Sequence, residues 1–434
     1  MNFTVFGIIW LILLFISLFK GIKWSLSLLI ISCVFQSTAL INTDSKGFSI
    51  FLFTELFFII KYFKLIFRDI HKFIIPLNFF KYIFIFLIFS ILGGVILPNI
   101  FEGIKVFVPE LGIDENYYIG GKPLYFSSGN IVQMIYLSLN ILTLYLLFLL
   151  RLRYLYHFSI KIFIFSIFIV VFLGFWEFLS KQFGIYYPTD FISNNAGYAL
   201  LNDMVYLDQK KIVSTFIEAS FTGGFLAAAF WAIFYIKTLW AKIFSFFIFM
   251  ALTFNLSGTG FATFFIGGVI LLILNKKFTY VFWILILTLI LTYILIYSGY
   301  YDIIKELLIT KSSSDSGINR QGSNDFSLKI FYETYGFGVG LGSHRASSFL
   351  FTIIACSGIA SIFLFIYLFK IIKLTYKEIF KDNNFIYSGV VFRFGLVYLI
   401  AQILAIPDIS NPTFWSWQFI ALLFIDNNNL NKKK

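Results

Sequence analysis

Apolar runs long enough to cross a bilayer recur along nearly the whole chain, separated by short basic connections and a few longer polar ones. They predict membrane helices near residues 3–19, 24–41, 48–63, 79–97, 129–150, 159–179, 220–236, 243–257, 260–274, 278–299, 347–369, 385–405 and 412–425, about 12–14 in all. Segments 243–257 and 260–274 fall short of the roughly 20 residues that a perpendicular span needs. They meet at Ser257-Gly-Thr-Gly260 and are expected to pack as a pair around that turn. The expected fold is all-α: one polytopic integral membrane domain over residues 1–434, with its polar chemistry in large loops.

Composition excludes a soluble alternative. The chain is 60% hydrophobic and 12% charged, and no single core could hide its 61 phenylalanines from water without lipid. The first run, Met1 to Phe19, lacks a basic start and a small-residue cleavage site, so it is read as a membrane helix and not as a removed signal peptide. Cys33 and Cys356 both lie in apolar segments, which implies no disulfide or metal framework.

Charge orients the helices, because Lys and Arg favour the cytoplasmic side of a membrane. With Lys432-Lys433-Lys434 placed there, alternation puts Lys20, Lys23, Lys61, Lys81, Arg151, Lys161, Lys237, Lys242, Lys276, Lys277 and Lys370 on the same side. The loops 99–128, 180–219 and 300–346 then face outward, as does the N-terminus. The net charge of +12 follows from this bias and from anionic lipid, and requires no nucleic acid partner. Inner connections are short, and no GxxxxGK[ST] sequence occurs, so the chain offers no site for ATP. Any reaction must use an activated substrate delivered outside, within the membrane.

The outer loops carry the candidate chemistry. In Gly336-Phe-Gly-Val-Gly-Leu-Gly-Ser-His-Arg345, alternating glycines precede His344 and Arg345 and then an apolar run. Bare backbone N–H groups and a following helix N-terminus suit an anion such as phosphate or pyrophosphate, with Gly340, Gly342 and Ser343 as donors. The same glycines also suit a plain turn from loop into helix. Upstream, Asp325 reads as an N-cap, and Leu328, Phe331, Tyr332 and Tyr335 share one face of an amphipathic helix over 325–335, either on the membrane interface or packed on the other helices. Either placement returns Arg320 toward Ser343, His344 and Arg345. In the second loop, Lys210 and Lys211 lead to Glu218 and Ser220 at the mouth of a helix. Glu218 can serve as a base toward a hydroxyl or as a helix cap. Glu55, Glu177 and Arg393 lie within helices; Glu177 is expected near water, and Glu55 and Arg393 as a buried ion pair.

Three segments, Ser214-Thr-Phe-Ile-Glu218-Ala-Ser220-Phe-Thr-Gly-Gly224, Leu256-Ser-Gly-Thr-Gly260 and Gly336 to Arg345, stand in the order and spacing of the Wzy-type O-antigen and capsule repeat-unit polymerases, whose superfamily also holds the O-antigen ligases. The chain resembles that superfamily in these motifs over roughly residues 200 to 370, and throughout in its helices and outer loops. The resemblance implies a GT-C-like glycosyltransferase in the bacterial cytoplasmic (inner) membrane, with its active site toward the periplasm or cell exterior. Its donor would be a glycan on undecaprenyl pyrophosphate and its acceptor another lipid-linked repeat unit. Outer-loop arginines would hold the pyrophosphate, and Arg320 and Arg345 match those positions. Where relatives often carry arginine before the Ser-Thr-Phe segment, this chain has Lys211, which keeps the charge but lacks the bidentate fork.

Residues and resemblance together predict one mechanism. Arg320, Arg345, Lys211, Lys210 and the glycine-rich turn stabilise a departing pyrophosphate, while Glu218, or else His344, deprotonates the acceptor hydroxyl. No cofactor is expected, and no metal, because the outer loops lack a ligand cluster. Expected partners are the lipid-linked oligosaccharide, membrane lipids, a chain-length regulator and a flippase. An O-antigen ligase would differ only in its acceptor, a lipid A core sugar. A transporter of the same lipid would require an internal repeat and a charged midplane cavity, and a non-catalytic scaffold would tolerate loss of all these residues.

Overall fold

A computed structural model describes residues 2–43, 46–68, 74–107, 121–197, 205–206, 209–276, 315–381 and 385–424. The expected span at 278–299, residues 108–120 and 300–314 of the outer loops, and Lys432 to Lys434 lie outside the described residues. The principal helices are α1 (Val5–Phe19), α2 (Ile22–Ser32), α3 (Ile50–Tyr62), α4 (Ile74–Ile100), α5 (Ser128–Leu149), α6 (Arg153–Phe183), α7 (Ala219–Phe234), α8 (Leu239–Asn255), α9 (Gly258–Leu274), α10 (Asp315–Glu333), α11 (Phe349–Ser357), α12 (Ser361–Lys381), α13 (Val390–Ala405) and α14 (Pro412–Leu423). Four stretches are long and apolar enough to cross a membrane: Phe79–Ile100, Ser128–Leu149, Arg153–Phe183 and Phe349–Lys377. Shorter apolar helices accompany them. The protein is helical and membrane-embedded.

Helix ends reveal a polarity. Thr4, Ser49, Ser127 and Ser257 accept from backbone N–H groups at the starts of α1, α3, α5 and α9, and Asn411 does the same for α14, with Pro412 in its first turn. At the opposite end, basic side chains cover orphan carbonyls. Lys61 donates to Ser17 O in the last turn of α1 and to Lys20 O just after it, Arg151 to Phe148 O at 2.7 Å, and Lys242 to Phe234 O. The capped starts lie at one end with the segments expected to face outward. Residues 2–3 belong to that end, forming β1 (Asn2–Phe3) against β2 (Ala39–Asn42), which also pairs with β3 (Gly47–Ser49). This sheet and two two-stranded ones modify the all-α expectation.

Several boundaries differ from the periodicity reading for local reasons. α2 ends at Ser32 and not near 41, because Gln36, Ser37 and Thr38 bond distant loops: Ser37 N–H donates to Thr215 O at 3.0 Å and Thr38 hydroxyl to Ile192 O at 2.5 Å. The run 347–369 is broken at Gly358, whose φ of 53° and contact with the Phe337 backbone leave no room for a side chain. α10 begins at Asp315, so Asp325 is inside the helix and caps nothing. Its buried face is Ser323, Ser327, Ile330 and Thr334, while Tyr332 and Tyr335 are 74% and 83% exposed. The expected aromatic stripe therefore faces outward, as side chains at a membrane interface do.

α7 is the central helix. Gly223, Gly224, Ala227, Ala228, Ala229 and Ala232 are all buried, and these small residues let neighbours approach closely. A side chain at Gly260 of α9 would meet Gly223 Cα at 2.8 Å, and one at Gly224 would meet Ala401 Cβ of α13 at 2.6 Å. Gly260→Val is thus expected to destabilise the protein by about 1–3 kcal/mol through overpacking. Thermal unfolding in detergent should record a lowered midpoint, with Gly21→Ala, which has open space around it, as the unchanged control. An equal midpoint for Gly260→Val would remove this crossing from the account.

Candidate functional site

The segment Lys211 to Glu218 is irregular backbone leading into α7, so its amides and carbonyls need partners from elsewhere. Glu177 supplies two of them, accepting from Val213 N at 2.9 Å and Ser214 N at 2.6 Å. Its other oxygen takes Lys181 Nζ at 2.6 Å, and the same ammonium donates to Lys211 O at 2.7 Å. Glu177 is 3% exposed, so it does not reach water as expected; it is the anchor of the loop. Asn255 Nδ2 donates to Ile212 O at 2.6 Å, and Thr215 hydroxyl to Val34 O at 2.6 Å. Ser214 is held at a φ of 54° by these bonds.

This loop delivers Glu218 to the first turn of α7. Its backbone occupies the N-cap position, but its side chain caps no N–H and instead accepts from the Ser220 hydroxyl. Lys211 and Arg320 share its electrostatic surroundings. Burial lowers the Lys211 ammonium from the usual lysine range, the Arg320 charge lowers it further, and Glu218 opposes both. Arg320 Nη1 also lies 3.3 Å from Thr259 Oγ1, in the turn where α8 meets α9. The structure thus gathers Lys211, Glu218 and Arg320, and joins the Ser214–Gly224 segment to the Leu256–Gly260 turn. The side chain of Lys210 lies outside the described atoms; its backbone pairs in a two-residue strand, Gln209–Lys210.

The glycine run has a different role from the anion cradle expected of it. Gly336, Gly338, Gly340 and Gly342 all have left-handed φ, at 81°, 83°, 91° and 86°. The N–H groups face inward: Gly338 donates to Thr334 Oγ1 at 3.0 Å, Val339 to Ala355 O at 3.0 Å and Gly340 to Cys356 O at 2.9 Å. The Cys356 thiol donates to His344 O at 3.1 Å, and Ser343 N–H donates to Gly340 O at 3.2 Å. Side chains would collide with Cys356 O at position 338, Gly93 O at 340 and Gly129 O at 342, at 2.7, 2.8 and 2.5 Å. The run is a close-packed strap laid over α4, α5 and α11. Ser343, only 3% exposed, belongs to it, accepting from Asn130 Nδ2 at 2.7 Å.

His344 is also structural here. Its Nδ1 accepts from Phe107 N–H at 3.1 Å, which places the ring proton on Nε2, facing Ser327 Oγ at 2.8 Å. Both nitrogens are engaged, and burial lowers its pKa to about 3, so the ring is neutral but has no lone pair to offer a substrate. Arg345 leaves the strap and forms a bidentate pair with Asp408, Nε to Oδ1 and Nη2 to Oδ2, each at 2.8 Å. Asp408 did not emerge from the sequence, although Pro407-Asp-Ile-Ser-Asn-Pro412 carries a clear turn signal. The expected Glu55–Arg393 pair is not formed. Both Glu55 carboxylate oxygens lack a hydrogen-bond partner, while Arg393 lies over Tyr235, 4.6 Å from the ring centroid.

Among the described residues no group of three or more His, Cys, Asp or Glu side chains gathers to hold a metal ion. Comparison with family models, with curated proteins and with solved structures finds no match to the chain.

The neutral His344 sets an acid limit on stability. Its folded pKa lies below the unfolded value near 6.5, so its contribution is complete above pH 6.5 and is lost as pH falls toward 3. The slope for one such proton approaches about 1.4 kcal/mol per pH unit. His344→Gln should lower stability at pH 7 but flatten its dependence between pH 6 and pH 4, measured by denaturation in detergent. Parallel curves would show that another group carries the dependence.

Proposed function

We propose that the protein is a polysaccharide repeat-unit polymerase, a GT-C-like glycosyltransferase of the bacterial cytoplasmic membrane working on its outer face. It transfers a glycan from undecaprenyl pyrophosphate to a sugar of a second lipid-linked repeat unit, building O-antigen or capsule. The observation that carries this reading is the grouping of Lys211, Arg320 and Glu218 at the polar end of a membrane-embedded helical protein. Half-buried Lys211 feels the charge of Arg320, and a diphosphate would relieve the repulsion between these cations as it gains charge on leaving. A carboxylate beside them is placed to take the proton of the attacking hydroxyl. Arg320 offers planar donors to phosphate oxygens and Lys211 a point charge.

The motif resemblance supports the polymerase reading, with the glycine strap now fixing Arg345 and its neighbours instead of cradling the phosphates. An O-antigen ligase would use the same charges with a lipid A core acceptor. One observation favours a transporter of the same lipid instead: Glu55 is fully buried beside Thr143 with no cation paired to it among the described residues, and intramembrane carboxylates of that kind mark proton or substrate paths.

Purified protein in nanodiscs, supplied with a synthetic polyprenyl-pyrophosphate repeat unit, should yield a ladder of products. Glu218→Gln and Arg320→Ala should each slow its formation by about 10²-fold or more with unchanged thermal midpoints. Glu55→Gln should leave the ladder intact. Normal ladders from both site variants would sink the assignment, and bare core as the preferred acceptor would convert it to a ligase. The ladder should also persist in excess chelator; strict dependence on a divalent ion would replace Lys211 and Arg320 as the groups that neutralise the leaving group.

A further inference from the structure

Glu55 is a carboxylate that the transferase mechanism does not use, and its surroundings form a polar column inside the helical frame. It is wholly buried on α3. Tyr136, Asn140 and Thr143 of α5 stand at i, i+4 and i+7 and so share one face of that helix. That face is turned to α3, since Thr143 lies beside Glu55 and Tyr136 is within electrostatic range of it. Asn140 and Thr143 are wholly buried, and Asn140 Nδ2 is taken up by Tyr136 O at 2.8 Å. Glu55 Oε1, Glu55 Oε2 and Asn140 Oδ1 can only accept while the carboxyl is ionised, yet none receives a hydrogen bond of ordinary geometry. The Thr143 hydroxyl is the donor beside them, and one hydroxyl proton cannot serve three acceptors.

No neighbouring cation makes up the deficit among the described residues. α1, β2 and β3 carry no charged side chain. Lys23 of α2 lies over the rings of Tyr154 and Phe158, and Lys61 of α3 is bonded to Ser17, Lys20 and Ser25 at the far end of the helix. The other titratable neighbours are neutral groups: Cys33, whose thiol donates to Leu29 O at 3.2 Å, Tyr62 against Phe58, Tyr145 against Phe80, and Tyr136.

The column has an entrance at the polar end. A cavity of about 20 Å³, room for one water, is lined by Gln36, Ser49, Phe51, Tyr136, Asp408 and Asn411. Phe51 and Tyr136 precede Glu55 and Asn140 by one turn, on helices that both begin at that end. Helical side chains lean toward the N-terminus, which directs the Glu55 carboxyl to the level of the cavity. Asp408, 22% exposed, joins the cavity to the surface.

We propose that Glu55 binds a proton within the helical frame and exchanges it with water at the polar end through the Tyr136 hydroxyl and the one-water cavity. The inference is independent of the transferase reading. The proton turns one carboxyl oxygen from acceptor to donor, as Asn140 and Thr143 require, and removes a buried charge that has no counterion. Exchange is a relay: the Glu55 O–H bond breaks as its proton passes to the Tyr136 oxygen, and the Tyr136 O–H bond breaks as its own proton passes to the water. A carboxylate, a neutral tyrosine and a hydronium ion result, and the reverse steps reload the site.

Infrared difference spectroscopy of the full-length protein in nanodiscs, without substrate, tests this, because a protonated carboxyl gives a C=O band distinct from that of a carboxylate. Wild type minus Glu55→Gln should show the band at pH 7, and Glu55→Asp should move it. Labelling the glutamate carboxyls with carbon-13 should shift it in the unmutated protein, which keeps the test available should Glu55→Gln fail to fold. Transfer to heavy water should shift the band within minutes, and Tyr136→Phe should keep the band but slow that shift by about ten-fold or more. A spectrum without the band shows an ionised Glu55 and overturns the proposal. Equal exchange in Tyr136→Phe overturns the route, and loss of the band when sodium chloride replaces choline chloride overturns the proton in favour of sodium.

Discussion

The structure depends on one constraint: irregular backbone away from bulk water must find polar partners inside the protein. Helices meet it by themselves, but the segments around 33–38, 211–218, 336–348 and 406–411 cannot. Each is satisfied by another. Ser37 bonds Thr215, Gln36 bonds Asn411, the Arg345 side chain bonds Asp408, and Arg345 N–H donates to Phe107 O at 2.9 Å. The result is a cross-linked polar end assembled from residues hundreds of positions apart. Its rigidity follows from this mutual satisfaction, since a broken bond leaves a buried group unpaired at a cost of about 1–3 kcal/mol.

Charge is divided within that end according to burial. Glu177, nearly inaccessible, is surrounded by an ammonium and two amides, which is what a buried carboxylate needs to be tolerated. It is an anchor because it is fully satisfied. Glu218 accepts from the Ser220 hydroxyl, and Lys211 lies near a like charge, Arg320. Charges of one sign near each other repel, and Glu218 offsets part of that repulsion. A fold that accepts even part of that repulsion is suited to an anion arriving from outside.

Much of the helical frame was legible because long apolar runs with polar ends admit few other structures in lipid. Glu218 stood out as a lone carboxylate among apolar and small neighbours, and Arg320 as a cation in a polar outer loop. The glycine alternation announced left-handed backbone, and left-handed backbone is what formed. Its target was hidden, however, because composition does not reveal whether exposed N–H groups will meet a phosphate or the carbonyls of Ala355 and Cys356. Asp408 was missed for a similar reason. Its partner is 63 positions away, and a lone carboxylate in a turn carries no periodic signal. The break at Gly358 is equally non-local, set by the strap passing over it.

The Arg345–Asp408 pair links these points. Its side chains are 38% and 22% exposed, and ion pairs with that access to solvent contribute only about 0–1 kcal/mol to stability, toward the upper end when bidentate. Stability alone is a weak reason for the pair. Orientation is a better one, because two parallel bonds fix both the guanidinium plane and the carboxylate plane. The strap holds Arg345 at its base, with four left-handed glycines and a neutral histidine locked behind it. A rigid mount of this kind carries its geometry through Arg345 into the 406–411 turn. The glycine run thereby positions the Arg345–Asp408 pair, its own N–H groups being taken up by Thr334, Ala355 and Cys356.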